Sequence, residues 1–267
     1  MPPRPSPASL RARLGFLALL GLAPGLAGAQ TPGQGLQVKY VRDSEEYAVL
    51  ARQVFRVATN ALPGALHALP RGAAWAVVLD VDETALDNSV YELERATYGI
   101  PFNDPSWSAW VERREAGAVP GVEDFIRSVR AAGGRVAWIS NRDESTREAT
   151  RANLDVHGLW ADADLLCLQR AADSAYTKRR RRGELEAGAG SCSWPGVRPR
   201  VIAFVGDAMG DFPSAEEAIA AGGPTGEQAF GSRHFLLPNP MYGRWATRVT
   251  RRPAPGRVGP GDDSAQD

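Results

Sequence analysis

Two aspartates, Asp80 and Asp82, stand one residue apart directly after the apolar run AVVL. One carboxylate of such a pair can coordinate a cation and attack phosphorus while the other exchanges protons, which separates a nucleophile's work from that of an acid/base. Surface turns often carry D-x-D by chance. Here the preceding run argues for exit from a buried strand, where unpaired acids are costly unless they bind something. A second acidic group, Gly206-Asp207 with Asp211, follows the apolar run RVIAFV. Mg²⁺ prefers a few hard oxygen ligands and keeps several waters, and the set Asp80, Asp207 and Asp211 suits it. Asp211 also reads as a cap for a helix beginning near Ser214, and both readings can hold.

Of the 31 basic residues, only Lys39 and Lys178 are lysine and the other 29 are arginine. A chain that otherwise uses arginine keeps lysine at 178, where a compact point charge beside a phosphate differs from a planar fork. Lys39 lies upstream of every strand and carries no such argument. Ser140 and the amides around Asn141, which follow the run RVAWI, are candidates to hold phosphate oxygens. The run Arg179-Arg180-Arg181-Arg182 is expected to form a solvated helix face rather than a nucleic-acid patch.

These residues need a frame that brings them together. The runs AWAVVL (74–79), RVAWI (135–139), ADLLCL (163–168) and RVIAFV (200–205) are separated by stretches long enough for helices, and HFLL (234–237) adds a fifth candidate strand. Near-continuous apolar strands alternating with helices predict an α/β fold with a parallel sheet covered on both faces. Ligands of such sheets bind beyond the carboxyl ends of the strands, where the polar residues stand. Ser44 to Leu66 has apolar residues at helical spacing, Ser44 as N-cap and acids in the first turn. The Pro-, Gly- and aromatic-rich stretch from Thr97 to Pro120 interrupts the alternation and predicts an inserted lid or cap.

At 267 residues and 43% apolar composition, the chain suits one domain of ordinary size. Residues 1–29 read as a secretory signal peptide: Arg4, Arg11 and Arg13 precede the run LGFLALLGLAPGLAGA, which closes on Ala27-Gly28-Ala29. The catalytic domain is expected over 30–250, with cap elements around 44–70 and 97–120. Residues 251–267, rich in Pro, Gly and charge, are expected to be a disordered tail. Without the leader, 28 basic residues face 31 acidic ones, which gives no pull toward a nucleic-acid polymer. The leader's apolar run is too short for a comfortable span and no Cys adjoins the cleavage site, so no stable membrane anchor is expected. Export would carry Cys167 and Cys192 into an oxidising compartment, where a bridge and two separate buried thiols are both ordinary readings. A homo-oligomer is compatible with the sequence.

The order D-V-D-E-T, S-N-R, Lys178 and G-D-x-x-x-D-F resembles the four motifs of the haloacid dehalogenase superfamily. The runs DETALDNSVYE, WSAWV, VPGVEDF, WISNRD, GDAMGDF and LPNPMYGRW are similar to the bacterial class C acid phosphatases, the family that includes surface lipoprotein 5′-nucleotidases. The similarity spans roughly residues 37–248. It implies a Rossmann-like core with a small cap and hydrolysis of small phosphomonoesters. Asp80 would be the nucleophile and would form an aspartyl-phosphate, while Asp82 would protonate the leaving alcohol and later activate water. Mg²⁺ would be held by Asp80, the Asp82 carbonyl and Asp207, with Asp211 in or just outside its coordination sphere. Ser140 and Asn141 would hold the phosphoryl group and Lys178 would neutralise charge. Family caps often stack a nucleobase on aromatic rings, and Trp107, Trp110, Tyr91 and Tyr242 are available, although each is also a normal core residue.

Two features depart from the family. The lipobox cysteine of many members is missing, and EAGAGSCSWPG (186–196) reads as an insertion. Two other functions stay open at this point: a phosphatase or phosphotransferase without nucleotide preference, and a non-catalytic surface or storage protein on the same fold.

Overall fold

The apolar runs become strands whose order explains why the polar residues after them meet. The computed structural model describes residues 35–247 apart from 171, 172, 221 and 224; the expected signal segment, 1–29, and tail, 251–267, lie outside the described residues. The strands are β1 (Trp75–Leu79), β2 (Leu86–Asp87), β3 (Gly117–Ala118), β4 (Arg135–Asp143), β5 (Leu165–Gln169), β6 (Arg200–Gly206) and β7 (His234–Leu236). Five of them form a sheet in the order β5-β4-β1-β6-β7, with every neighbouring pair parallel. All five residues of the central strand β1 are buried.

Because side chains alternate along a strand, burial on both faces needs two apolar layers. Val77, Leu79, Val136, Trp138, Leu166 and Leu168 enter one core, while Ala76, Val78, Ala137, Ile139 and Cys167 enter the other. The β1–β6 register shifts between Ala76 and Val77, and Ile202 and Ala203 consequently both face the first core.

The first core is closed by helices. A short helix α1 (Leu36–Asp43) precedes α2 (Glu45–His67), whose start follows the expected chemistry: the Ser44 hydroxyl accepts from Tyr47 N at 3.1 Å, with Glu45 and Glu46 in the first turn. Tyr47, Ala51, Phe55, Ala58 and Leu62 form its buried stripe. Phe55 meets Phe125 of α5 (Val122–Ala131) with ring centroids 5.8 Å apart, and full burial of such a side chain contributes about 1.5–3 kcal/mol. The segment around 44–70, grouped with the cap by sequence, is therefore a layer of the core along this stripe. An amphipathic pattern shows that a helix has a buried face but not what covers it.

Between β2 and β3 the chain makes an excursion of two helices, α3 (Ser89–Tyr98) and α4 (Asp104–Arg113). The antiparallel pairs Leu86↔Ala118 and Asp87↔Gly117 close its base. Asn103 caps α4 by accepting from Ser106 N at 2.8 Å. The aromatic part of the 97–120 stretch is thus α4, and the base of the excursion sits immediately after the turn that follows β1. Helix α6 (Arg147–Val156) completes this side with Ala149 and Leu154.

The second core has less helix over it. Only Leu185 of α7 (Lys178–Ala187) enters it, and Cys192 and Trp194 from the 186–196 insertion supply much of the remaining cover. Cys192 is joined to Cys167 on β5 by a disulfide. The two cysteines are a bridge, and the insertion is part of the core. Short helices α8 (Ala215–Ala220) and α9 (Arg244–Thr247) follow β6 and β7.

Candidate active site

Register brings the carboxyl ends of β1, β4 and β6 to one level, since Leu79 is paired with both Trp138 and Val205. The Asp80 amide still donates to Val205 O at 3.0 Å, so the carboxylate begins where the strand ends. The chain then turns tightly: Ala85 N and Leu86 N both donate to Val81 O, and Glu83 takes φ 55°, in the left-handed region. That turn sends Asp80 and Asp82 to the same end of the sheet.

Lys178, the first residue of α7, reaches into this end. Its Nζ lies 2.7 Å from Asp80 Oδ1 and 2.5 Å from Asp211 Oδ1. Burial alone would lower this ammonium, but Asp80 and Asp211 outweigh it and hold Lys178 firmly charged. Asp80, Asp207 and Asp211 offer carboxylate oxygens that all lie within 4.8 Å of one another. Burial pushes Asp80 well up; Lys178 opposes this, and Asp211, Asp207 and Asp82 add to it. Asp207 is pushed up to about 6, by burial and by Asp211. Crowded buried carboxylates of this kind, all hard oxygen donors with no nitrogen or sulfur among them, fit a divalent cation of the Mg²⁺ type.

The oxygens have distinct partners. Asp211 is used on both sides, Oδ1 by Lys178 and Oδ2 by Ala208 N at 2.8 Å, so its part is mainly to hold the lysine and the turn. Asp207 Oδ2 accepts from Asn239 Nδ2 at 2.8 Å, and its Oδ1 has only the Thr84 hydroxyl at 3.5 Å. Gly206 leaves room for Asp211, because a Cβ there would lie 2.4 Å from it.

Asp82 is held mainly through one oxygen. Its Oδ1 accepts from Asn88 Nδ2 at 3.0 Å and from Arg142 Nε and Nη2 at 3.0 and 2.8 Å. Its Oδ2 has the Ser140 hydroxyl at 3.4 Å. Ser140 is fully buried, with its hydroxyl also accepting from Arg142 N at 3.1 Å. Asn141 is exposed and its Oδ1 accepts from Arg181 Nη2 at 2.7 Å. Of the aromatic candidates, Trp110 and Tyr91 are core residues, and Tyr91 hydrogen-bonds to Ser106 Oγ at 2.8 Å. Trp107 is half-buried, with the Arg142 guanidinium 5.7 Å from its ring centroid. Tyr242 is half-buried in a turn whose amides at 241 and 242 donate to Asn239 Oδ1 at 3.0 and 3.4 Å.

The arginine run corrects the sequence reading. Arg179 and Arg180 are exposed and make surface ion pairs, but Arg181 is fully buried and Arg182 nearly so. Arg181 donates to Ser140 O, to Cys167 O at 3.0 Å and to Asn141 Oδ1, tying α7 to the ends of β4 and β5. Burial brings the Arg181 guanidinium down to about 10. Arg182 pairs with Glu217 and donates to Gly210 O at 3.1 Å, which steadies the Asp211 turn. Lys178, Arg181, Arg182 and Leu185 stand at i, i+3, i+4 and i+7, so helical spacing carried the signal that a charge count hid.

Asn88 and Asn239 were not singled out by sequence, and Arg142 was read only as part of the S-N-R run, with no role of its own. Arg142 had a readable signal, since two residues after Ser140 on a strand is the same face. Asn88 and Asn239 reach the site through turns, which single-sequence periodicity does not resolve.

The chain matches the model of the HAD superfamily, subfamily IIIB (Acid phosphatase), over residues 29–245. The class C acid phosphatase of Bacillus anthracis superposes with a TM-score of 0.63 at 27% identity, covering 78% of this chain and 84% of that one. A structure of that enzyme with tungstate bound gives a TM-score of 0.63 at 26% identity over the same shares. Acid phosphatase 1 of Solanum lycopersicum is 28% identical over 171 residues, 62% of this chain and 57% of the tomato protein. The stem 31 kDa glycoprotein of Glycine max is 27% identical over 170 residues, and the match spans 58% of its length. The fold, the order of motifs and a match over most of its length agree: this chain belongs to the HAD subfamily IIIB acid phosphatase family.

Proposed function

We propose that the protein is a Mg²⁺-dependent phosphomonoesterase that acts through an aspartyl-phosphate on Asp80, with nucleoside 5′-monophosphates among its substrates. The observation that carries this reading is the pairing of Asp80 with Lys178 inside a three-carboxylate cluster, with Asp82 anchored through one oxygen beside it. An Asp80 oxygen attacks phosphorus as the bond to the leaving oxygen breaks, and Asp82 delivers its proton to that oxygen, releasing the alcohol. Asp82 then takes a proton from water as the water oxygen attacks phosphorus and the Asp80–phosphorus bond breaks. Inorganic phosphate leaves and both aspartates return to their starting states. Lys178 stays charged and offsets the spread of negative charge on the phosphoryl oxygens, while Ser140 and the backbone near Asn141 orient them.

Asp80, the Asp82 carbonyl and Asp207 would hold Mg²⁺, with Asp211 behind them. When bound, the ion neutralises charge on the nucleophile and phosphate. The tungstate bound by the Bacillus anthracis enzyme is a tetrahedral oxyanion like phosphate, which favours a phosphate site here. The nucleotide reading is favoured by two half-buried residues, Trp107, whose ring lies by Arg142, a contact of Asp82, and Tyr242, whose backbone amide meets Asn239, a contact of Asp207. Export fits the Cys167–Cys192 bridge, since disulfides persist in oxidising compartments. No helix among the described residues is long and apolar enough to cross a membrane.

The test is turnover of nucleotides, sugar phosphates and aryl phosphates by the metal-stripped protein with and without added Mg²⁺. Activity is expected only with the ion, and full turnover in excess chelator would overturn the metal assignment. Equal kcat/KM for nucleotide and simple aryl phosphate would favour the broad-specificity alternative. No turnover of any phosphomonoester would favour the non-catalytic one.

A further inference from the structure

The acid/base carboxylate is connected to the lid helix by two separate contacts. Trp110, on α4, donates its indole N–H to Asn88 Oδ1 at 2.8 Å. An indole N–H is only a donor, so the Asn88 atom facing it must be the carbonyl oxygen, and the amide nitrogen must face the other way. That nitrogen donates to Asp82 Oδ1 at 3.0 Å and to Glu83 Oε1 at 3.1 Å. Asn88 is fully buried and its own backbone N–H also donates to Glu83 Oε1, at 2.9 Å, so it has no solvent to turn toward. Trp107, three residues before Trp110, lies against Arg142, the second donor to the same Asp82 oxygen. Residues three apart share a helix face, so one face of α4 touches both groups that fix Asp82.

We propose that Asn88 and Arg142 are positioning residues that aim Asp82 Oδ2 at the leaving-group oxygen, and that Trp110 of the lid helix sets the orientation of Asn88. This rests on the reading of Asp82 as acid/base. Three donations occupy Oδ1, and Oδ2, with only the longer Ser140 contact at 3.4 Å, is left to pass a proton. Loss of the indole N–H frees the Asn88 amide to rotate and present its oxygen to the Asp82 carboxylate. Two oxygens facing each other repel, and the aim of Oδ2 is lost. The residues that set proton transfer therefore include one on the element that covers the substrate.

The signature is the leaving group. An alkyl or nucleoside oxygen must be protonated as it departs, whereas p-nitrophenolate leaves without a proton, so damage to acid catalysis falls on the first class alone. The experiment compares the first-turnover rate of leaving-group release, which precedes water attack, from a nucleoside monophosphate and from p-nitrophenyl phosphate for Trp110→Phe, Asn88→Ala, Arg142→Lys and the control Asp82→Asn, all with Mg²⁺. General acid catalysis contributes on the order of 10²–10⁴, so Asp82→Asn should lose that much on the nucleotide and far less on the aryl ester. Trp110→Phe and Asn88→Ala are expected to lose roughly tenfold or more on the nucleotide with the aryl rate within about threefold, a partial loss of the same term. The aryl rate doubles as the check that each variant has folded. If Asp82→Asn shows no leaving-group split, the acid/base reading itself fails. If Asp82→Asn shows the split while the other three lower both substrates equally, Asn88, Arg142 and Trp110 are only structural and the proposal is overturned.

Discussion

Asp80 has the clearest consequence at the residue scale. Asp80→Asn is nearly isosteric and removes the nucleophilic oxygen, so phosphatase activity should fall below roughly a hundredth of wild type with the thermal midpoint largely kept. Greater residual turnover would count against Asp80 as nucleophile. Asn239 has a different consequence, because it contacts Asp207, proposed above to hold Mg²⁺. Removal of a residue that orients a metal ligand typically costs 10–100-fold, so Asn239→Ala should weaken Mg²⁺ binding by about that factor in a calorimetric titration. Unchanged affinity would mean that Asp207 needs no such support. Asp80, Asp82, Lys178, Ser140, Asp207 and Asp211 were legible in the sequence because each follows a buried run or breaks a compositional bias, and all converge at one end of the sheet. Asn88 and Asn239 were not, since an amide inside a turn has no periodic signature and acquires its role only when distant segments meet.

At the scale of elements, the strands were readable because a buried parallel strand needs apolar residues on both faces. The cover over those faces was harder to read. The stripe of α2 announced a helix but not that it would lie on the sheet, and the 186–196 insertion looked like added loop. Its Cys192 and Trp194 close the second core, and the bridge spans a separation of 25 residues. A crosslink of that size contributes about 3 kcal/mol by restricting the unfolded chain. Paired replacement of Cys167 and Cys192 by Ser should lower unfolding stability by about that amount in urea titrations. A shift near zero would show that packing alone holds the insertion. The buried half of α7 was missed for a related reason: four arginines in a row read as surface until helical spacing assigns two of them inward.

For the whole molecule, His234 is expected to make stability fall in acid. His234, on the edge strand β7, is enclosed by Phe204, Phe212 and Phe230, with ring centroids 5.6, 5.2 and 5.5 Å away. Burial, then Arg233 and Arg182, bring its imidazole down to about 4 from an ordinary 6.5. A depressed folded-state value means that the unfolded chain binds this proton first, so stability is retained above about 6.5 and lost as pH falls toward about 4. His234→Phe should flatten the fall in thermal midpoint across that window. An unchanged slope in the variant would assign the acid sensitivity to other groups.

The position of β1 in the sheet has a last consequence, for how the molecule opens. A strand with parallel neighbours on both sides and none of its residues exposed belongs to the part of a protein that opens only with global unfolding. Asp80 therefore follows directly on a segment expected to exchange slowly. If Asp80 is the nucleophile, as proposed, its backbone keeps its place through the whole cycle.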